Sequence, residues 1–272
     1  MSAIRAKEDS TMVQSFADQV VVVTGASKGI GFACAEGFAR AGARVVLVSR
    51  SRENLDAALA KLPGMRHSPL AVVADLRDAA AAARMVGEVV AQWGAIDVLV
   101  NSAGAAQRYA PADLSAQAWR DAMDAKFFSY IHSTDIVVKQ MAARGHGAIV
   151  NIIGSGGKVA SPIHLPGGAA NAALMLATTG LAAAYGPSGV RINGINPGGT
   201  LTSRVEEGLA VESRMTGTPA TELLARAQEK IPLRRLGTPE EVAQVALFLA
   251  SPAASYVTGA IIPMDGGASA VI

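Results

Sequence analysis

The strongest constraint on the fold is a regular alternation of short β-branched runs with longer helical segments. Residues 20–25 read VVVVTG and residues 44–49 read RVVLVS, with a helical pattern between them. Runs this apolar suit strands that are buried on both faces, as in parallel sheets covered by helices. Because strands and helices alternate along the chain with short connections, the sequence predicts a single α/β domain with one doubly wound parallel sheet flanked by helices.

The predicted elements cover nearly the whole chain. Strands are expected at residues 20–25, 44–49, 70–74, 96–101, 148–153, 191–196 and 260–264, and helices at residues 32–41, 54–61, 79–93, 116–144, 169–185 and 239–249. Residues 200–231 are the least regular, and their length suits a lid or a substrate loop. No linker or repeat interrupts the pattern, so we expect a mobile leader over residues 1–18 and one domain over residues 19–272.

Composition narrows the class of protein. Half of the 272 residues are hydrophobic and 17% are charged, which is typical of a compact globular domain. A net charge of +2 gives no reason to expect nucleic acid or a membrane as partner. We expect no membrane span, because no apolar run approaches the ~20 residues that one needs. The single cysteine, Cys34, excludes an internal disulfide, and its side chain is expected to be buried in the core. The histidines are scattered along the chain, so no metal site is expected. The N-terminus has no secretory pattern, so a cytoplasmic location is expected.

A glycine-rich loop follows the first predicted strand. Residues 24–31 read TGASKGIG and lead into the first helix. Gly25 allows a tight turn, Gly29 lets the backbone approach a pyrophosphate, and Gly31 permits close packing of helix on sheet. The phosphates would meet free backbone N–H groups at the helix N-terminus. The position of the loop therefore favours dinucleotide binding over an ordinary strand–helix turn.

The residues after the second strand bear on which dinucleotide binds. Ser49, Arg50, Ser51 and Arg52 stand where an acidic residue commonly holds the ribose 2′-hydroxyl of NAD. Arg50 and Lys28 could pair with a 2′-phosphate, although arginines here would also suit a solvated surface. We therefore expect NADP(H) to be favoured over NAD(H).

Further motifs give the chain a family resemblance. The glycine-rich loop is followed by Asp75 after a strand, by NSAG at residues 101–104, by NPGGTLT at residues 196–202 and by PLRRLGTPEEV near the C-terminus. Together they resemble the short-chain dehydrogenase/reductase family over about residues 20–267. The resemblance implies a Rossmann fold and NADP(H)-dependent oxidoreduction of a carbonyl or alcohol. It places Asp75 on the adenine, Asn101 near a ribose and residues 197–202 on the nicotinamide carboxamide. The implied cofactor-binding residues are Gly25, Ser27, Lys28, Gly29, Ile30, Gly31, Arg50, Asp75, Leu76, Asn101, Ala103, Gly104, Pro197, Gly198, Thr200 and Thr202.

The catalytic residues that the resemblance implies are replaced in this chain. The family uses a tyrosine and a lysine four residues apart on one helix face, a serine at a strand end and an asparagine on the preceding helix. Aligned by motif, Gly167 stands at the tyrosine position, Asn171 at the lysine, Gly154 at the serine and Lys126 at the asparagine. None of the four tyrosines is followed by a lysine four residues later, so no shift of the alignment restores the pair.

Three other side chains are candidate substitutes. His164 precedes the helix and is of a type that titrates near neutral pH, although a loop histidine facing water is the plainer interpretation. Lys126 could extend its ammonium toward the place of the missing lysine, or lie along its own helix. Ser155 could hydrogen-bond a substrate oxygen or belong to a flexible turn. The sequence leaves these alternatives open.

Three functions follow from these observations. The chain is an NADP(H)-dependent oxidoreductase with another proton donor, a catalytically silent nucleotide-binding sensor or partner subunit, or a non-redox enzyme on the same scaffold. No residue identifies the small-molecule ligand. The resemblance also implies a homo-oligomer, with a tetramer favoured, assembled through the helices predicted at residues 116–144 and 169–185.

Overall fold

The parallel sheet predicted from the sequence is present. The structure is a computed structural model and describes residues 16–104 and 107–269. Within these residues seven parallel strands pair in the order β3-β2-β1-β4-β5-β6-β7. The strands are β1 (Val20–Thr24), β2 (Arg44–Ser49), β3 (Leu70–Val73), β4 (Val98–Asn101), β5 (Gly147–Ile152), β6 (Val190–Pro197) and β7 (Ile261–Met264). The strand order reverses between β1 and β4, where sheets of this kind form a ligand crevice at the carboxyl ends of their strands.

Helices cover both faces of the sheet. They are α1 (Gly29–Arg40), α2 (Arg52–Leu59), α3 (Ala79–Trp93), α4 (Ala116–Ala122), α5 (Ser129–Arg144), α6 (Leu165–Tyr185), α7 (Ser203–Thr216), α8 (Ala220–Glu229) and α9 (Pro239–Ala250). One apolar core joins α1, α2 and α9 to the sheet, and a second joins α3, α5 and α6 to the opposite face. All five residues of β1 are buried, as a doubly covered strand requires.

Two helix predictions change in detail. The helix expected over residues 116–144 is divided, because α4 leads into a π-helical turn (Met123–Phe128) before α5. Such single π-turns occur frequently at functional sites. The helix expected to begin at residue 169 begins at Leu165. Pro166 fits a first-turn position, and the Gly168 N–H donates to the His164 carbonyl at 2.8 Å.

The prediction of an irregular lid or loop over residues 200–231 was wrong. This region contains α7 and α8, separated by Gly217 at φ 71°. Both helices carry many charged residues, and the buried residue of α8 is Leu223, so the apolar stripe of α8 is narrow. A narrow stripe is a weak periodic signal, which explains why the sequence pattern did not indicate the helices.

The predicted leader over residues 1–18 is also corrected at its end. Residues 1–15 lie outside the described part of the chain. Phe16 is completely buried, and its ring packs edge-on against Phe38 with the centroids 4.8 Å apart. Asp18 pairs with Arg66 at 3.0 Å and with His67 at 2.9 Å. Residues 16–18 therefore belong to the folded domain.

One segment is longer and more apolar than the sequence interpretation allowed. Residues 165–188 have the length and composition of a membrane span, with a mean hydropathy of 1.2. The sequence prediction missed this segment because it consists largely of small residues. Alanine raises the mean hydropathy without forming a long run of large aliphatic side chains. In the structure α6 packs against the sheet through residues such as Ala170, Leu174 and Ala182. The core helix of a soluble protein passes the same test.

Cys34 lies on the buried face of α1. It is completely buried, and burial raises the pKa of its thiol to about 12. A thiol with such a pKa stays protonated at neutral pH and is a poor nucleophile. Cys34 therefore contributes packing rather than chemistry.

Candidate nucleotide-binding and active site

The turn between β1 and α1 requires glycine because backbone approaches it closely. Gly25 has φ +66°, and a Cβ there would lie 2.8 Å from the Ala103 backbone. A Cβ on Gly31 would collide with the Gly25 carbonyl oxygen. Gly29 has φ +58°, a conformation that glycine adopts at little cost. The assignments made to these three glycines from their spacing therefore fit the geometry of the turn.

The first turn of α1 is suited to a phosphate group. Lys28 is the N-cap in extended conformation, and its side chain makes no capping hydrogen bond in the described structure. The first turn contains no acidic residue, so its backbone N–H groups face no competing carboxylate. Ser27 lies beside the end of β2, where its Oγ accepts from the Ser49 hydroxyl at 3.3 Å. These residues fit the pyrophosphate of a dinucleotide, which binds at such helix N-termini.

The end of β2 presents one arginine to this turn. Arg50 is exposed and forms no ion pair with any residue in the described ranges. Arg52 instead pairs with Asp56 on its own helix at 3.0 Å. Arg50 is thus the arginine of the pair that is available to an anionic ligand.

Asp75 is held by a neighbour that sequence reasoning missed. Arg77 donates from Nε to both carboxylate oxygens at 3.0 Å and from Nη2 to Oδ2 at 2.5 Å. These hydrogen bonds hold the pKa of Asp75 below its usual value, with a smaller contribution from the charge of Arg50. The DLR tripeptide after β3 is visible in the sequence, but nothing in its spacing predicts that the arginine turns back onto the aspartate. Leu76, between them, is buried.

Asn101 ends β4 with its side chain in the core. It is completely buried, and its Nδ2 donates to Thr134 Oγ1 and to Asn151 Oδ1, both at 2.9 Å. Asn151 in turn donates to Thr178 Oγ1 at 2.9 Å. These bonds make Asn101 part of a polar chain that joins α5, β4, β5 and α6. The Asn101 Oδ1 atom is buried and has no hydrogen-bond partner among the described residues, and its ribose contact stays a prediction.

The residues after Asn101 reach the glycine-rich turn instead. The backbone N–H groups of Ser102 and Ala103 both donate to Thr24 Oγ1, at 3.0 and 3.1 Å. Gly104 has φ +98° and packs against the carbonyl of Ala125. Ala103 and Gly104 are partly exposed, so this segment can face a bound nucleotide.

The segment after β6 lies across the same turn. The Gly198 N–H donates to the Met264 carbonyl at 3.0 Å, which fixes the chain just beyond Pro197. Thr200 pairs with Gly237 in an isolated bridge, and Thr202 Cγ2 lies 3.4 Å from the position of a Cβ on Gly29. The structure therefore brings the predicted segments around residues 24–31 and 197–202 together.

The ammonium group of Lys126 lies between its own helical segment and the end of β5. It lies on the π-helical turn, is 8% exposed, and donates from Nζ to the Tyr130 hydroxyl at 2.7 Å and to the Ile152 carbonyl at 2.9 Å. The Tyr130 hydroxyl donates to the same carbonyl at 2.5 Å. The ammonium is thus turned into the core at the end of β5, because a phenol and a carbonyl are available there. The sequence does contain a signal for this contact, because Lys126 and Tyr130 are four residues apart and lie on one helix face.

The remaining candidates gather around a turn that follows β5. Gly154 has φ +112°, and residues 155–157 form a 3-10 turn. Asn171 is buried on α6, with its Nδ2 3.3 Å from the position of a Cβ on Gly154. The His164 ring lies 3.2 Å from the position of a Cβ on Gly156. The structure therefore places Gly154, His164 and Asn171 around one turn.

Two further predicted positions lie in this region. Gly167 is buried in the first turn of α6, one helical turn before Asn171. Ser155 is half-buried, and its backbone carbonyl accepts from Lys158 and Val159 at 2.9 and 3.2 Å. Residues 165–184, which make up all but the last residue of α6, contain neither a tyrosine nor a lysine.

The fold and the glycine-rich turn define a dinucleotide-binding α/β protein. Residues 25–269 match the family model described as Enoyl-(Acyl carrier protein) reductase. The chain belongs to the short-chain dehydrogenase/reductase family. It is 36% identical over 261 residues to cis-4-hydroxycyclohexanecarboxylate dehydrogenase of Sinomonas cyclohexanicum, covering 96% of this chain and 100% of that protein.

Solved structures agree with this assignment. L-sorbose reductase from Gluconobacter frateurii, complexed with NADPH and L-sorbose, has a TM-score of 0.89 and 30% identity over 95% of this chain and 99% of its own. Actinorhodin polyketide ketoreductase with NADPH also has a TM-score of 0.89, with 29% identity over 93% of this chain and 98% of its own. The arrangement of strands and helices is thus that of NADPH-binding members of the family.

Proposed function

We propose that this protein binds NADP(H) in preference to NAD(H). Binding of a dinucleotide is supported by the turn of residues 24–31, where Gly25 and Gly31 have no room for a side chain and α1 presents its N-terminus, and the preference is supported by two cations beside it. Lys28 and Arg50 flank this turn as exposed cations, and Arg50 has no carboxylate partner in the described structure. A 2′-phosphate is the group on NADP(H) that two such cations would recognise.

We further propose that the protein is an oxidoreductase that acts on a carbonyl or alcohol without the Tyr–Lys pair of its family. When bound, the nicotinamide would supply or accept the hydride. The chain's own part is to position the reacting carbon and to stabilise charge on its oxygen, which lowers a barrier even without a phenol. His164 beside Gly156, or water, would exchange the proton with that oxygen.

The second candidate is a catalytically silent nucleotide-binding protein, either a sensor or a partner subunit. The specific observation in its favour is that Lys126 is directed at Tyr130 and Ile152 inside the core. Glycines at positions 154 and 167 bring no acid or base to the same region. Non-redox chemistry on the scaffold is a third possibility, and no contact in the structure favours it.

An assay of NADPH consumption on a broad panel of carbonyl compounds separates the first two candidates. The comparison proteins carry Gly167→Tyr with Asn171→Lys, alone or combined with Gly154→Ser and Lys126→Asn. The double variant is included because Gly154 has φ +112°, a conformation that strains a serine. Turnover by the natural chain at an ordinary enzymatic rate supports the oxidoreductase. Turnover by a restored variant alone supports the silent protein.

We also propose a cytoplasmic homo-oligomer, with a tetramer favoured, that binds neither nucleic acid nor membranes. Support comes from the family assignment and from exposed apolar side chains such as Leu176 on α6, which is 77% exposed. Sedimentation velocity of the wild type and of Leu176→Glu tests the oligomer, and a lower mass for the variant is the expected result. A monomeric wild type would contradict the proposal.

A further inference from the structure

One arginine at the carboxyl edge of the sheet has no partner of opposite charge. Arg108 lies in the segment between β4 and α4, and its side chain is exposed. Among the side chains that the structure describes, no carboxylate forms an ion pair with it. A guanidinium group stays charged at neutral pH and binds carboxylate and phosphate groups through two parallel hydrogen bonds. Exposure alone equally suits a solvated surface, so the surroundings of Arg108 decide its role.

The segment that carries Arg108 is tied to the segment that carries His164. The Tyr109 N–H donates to the Ile163 carbonyl at 3.1 Å. Ile163 directly precedes His164, and the His164 ring lies beside Gly156. The hydrogen bond therefore holds the Arg108 segment next to the region in which the motif alignment places the replaced catalytic positions.

The guanidinium group of Arg108 also lies against α7. Its Cζ and Nη1 atoms are both 3.8 Å from the position that a Cβ on Gly208 would take, which is ordinary van der Waals contact. Gly208 has no side chain that could accept a hydrogen bond from this group. The helix begins at Ser203, directly after residues 197–202, which lie across the glycine-rich turn. Arg108 is thus placed between the segment that follows β4 and the helix that follows β6.

Apolar surface accompanies this cation. The strands β4, β5 and β6 are neighbours in the sheet, so the segments that follow them meet at one edge, where sheets of this kind bind their ligands. Val159, after β5, is 47% exposed, and Leu201, after β6, is 51% exposed. The edge therefore combines exposed apolar side chains with an arginine that no described carboxylate neutralises. Such a combination suits an anionic group attached to a hydrocarbon chain.

We propose that Arg108 binds an oxyanion, either a carboxylate or a phosphate group, at the end of the substrate that is remote from the reacting carbon. The inference rests on the proposed function, because it names the class of carbonyl or alcohol that the site accepts. Carboxylates and phosphates match the fork of N–H donors on a guanidinium group, whereas a neutral ester or hydroxyl forms a weaker contact. Arg108 determines specificity and takes no part in the transfer of hydride or proton.

Pairs of ligands that differ in one charged group test the proposal. Methyl-ketone carboxylates of increasing chain length, beginning with levulinate, are titrated into the protein saturated with NADP⁺, each beside its methyl ester. Dihydroxyacetone phosphate beside dihydroxyacetone distinguishes phosphate from carboxylate. At least one anion should bind about 10-fold more tightly than its neutral counterpart, and the difference should shrink as salt is added. Equal affinities in every pair, or no binding by any ligand, would overturn the proposal.

Substitutions on both sides of the contact assign the preference to Arg108. Arg108→Ala should weaken binding of the anion about 10-fold and leave the neutral ligand unchanged. Gly208→Glu should act in the same way, because it supplies a carboxylate beside the guanidinium group. Gly208→Ala is its control and should keep the preference, since a Cβ there makes ordinary contact. Arg40→Ala removes the same charge at the C-terminal end of α1 and should also keep it. A preference that survives in Arg108→Ala would overturn the proposal.

The outcomes separate this inference from the proposed function. NADPH affinity is measured for the wild type and each variant, and it should be the same for all of them because Arg108 lies outside the glycine-rich turn. If the wild type binds NADPH but prefers no anion, only this inference fails. If the wild type does not bind NADPH, the proposed function fails. The paired ligands are then titrated into the protein without cofactor, and loss of the preference in Arg108→Ala still supports the oxyanion site.

Discussion

The nucleotide-binding end and the chemical end of this site lie along the same edge of one sheet, and both are rich in glycine for different reasons. At Gly25 and Gly31 a side chain would meet backbone at 2.8 Å or less. At Gly154 the nearest atom is the side-chain amide of Asn171, at 3.3 Å. Backbone therefore excludes a side chain at Gly25 and Gly31. At Gly154 the atom that limits the space belongs instead to the side chain of Asn171.

The two ends also differ in where their charges point. Lys28 and Arg50 are exposed at the nucleotide-binding end, as a charged ligand requires. Lys126 at the chemical end is buried against Tyr130 and Ile152. This difference underlies the two proposals made above, that the protein binds an anionic cofactor and that it does not use the Tyr–Lys pair of its family.

The largest effect is expected from filling the tight glycine at the nucleotide-binding end. Gly31→Val should reduce NADPH affinity by more than about 100-fold, because its Cβ overlaps the Gly25 carbonyl and the turn must shift. Isothermal titration calorimetry measures the loss. Gly87→Ala on exposed α3 is the control, since a Cβ there meets nothing within 4 Å. It should leave binding unchanged and stabilise the fold by about 0.5–1 kcal/mol. If Gly31→Val bound NADPH normally, the conclusion that backbone packing requires glycine at the nucleotide-binding end would be contradicted.

The next largest effect concerns the buried pair at the chemical end. Tyr130→Phe should lower the free energy of unfolding by about 1–3 kcal/mol, because it removes the hydroxyl that contacts Lys126 and the Ile152 carbonyl. Its NADPH affinity should stay within about two-fold of the wild type. Urea denaturation and fluorescence titration measure the two quantities. Tyr256→Phe is the control, since Tyr256 is fully exposed. A ten-fold loss of NADPH affinity in Tyr130→Phe would place the pair in the ligand site.

A smaller effect is expected from the exposed arginine that faces the predicted 2′-phosphate. Arg50→Ala should weaken NADPH binding about 10-fold and leave NADH binding unchanged, because a charge-assisted contact is lost with one ligand only. Arg52→Ala is the matched control, since Arg52 is paired with Asp56. Parallel titrations with both cofactors check the result. An equal loss for NADH and NADPH would show that Arg50 does not discriminate between them.

The smallest effect is a pH dependence of stability at the nucleotide-binding end. Arg77 holds the pKa of Asp75 below its usual value, so the folded state binds this proton less readily than the unfolded state. The stabilisation is complete above about pH 4 and is lost as the pH falls through the lowered pKa. Both side chains are more than one-third exposed, so the pair contributes at most about 1 kcal/mol.

Thermal melts of the wild type and Arg77→Gln between pH 2 and pH 8 check this prediction. The difference in melting temperature should be constant from pH 5 to pH 8 and shrink below about pH 4. A difference that grows on acidification would contradict the assigned direction.

The extent to which the sequence predicted the structure also differs between regions. The parallel sheet and the tight turn at Gly25, Gly29 and Gly31 followed from the sequence, because β-branched runs and a glycine-rich loop after a first strand have few other structures available. The two helices between residues 200 and 231 did not follow, since charged residues are frequent in both and give a weak apolar period. Phe16 was assigned to the leader for a related reason. A single buried aromatic residue shows no hydrophobic periodicity that would indicate a helix or a strand.

Side-chain direction was the least predictable feature. Asn101 and Lys126 belong to readable motifs, yet both are turned into the core by partners on other elements, Thr134 and Asn151 for the first and Ile152 for the second. Arg77 turns toward Asp75 without any periodic signal. Contacts of this kind depend on tertiary placement, which the spacing of residues along one chain does not determine.

The central claim is that this chain recognises NADP(H) although its family's Tyr–Lys pair is replaced, and an equilibrium titration of the unmodified protein tests it most directly. Fluorescence of NADPH and NADH is followed as protein is added, with adenosine 2′,5′-bisphosphate as competitor. The account predicts micromolar affinity for NADPH, about ten-fold weaker affinity for NADH, and displacement of NADPH by the competitor. The absence of micromolar affinity for either cofactor would contradict it.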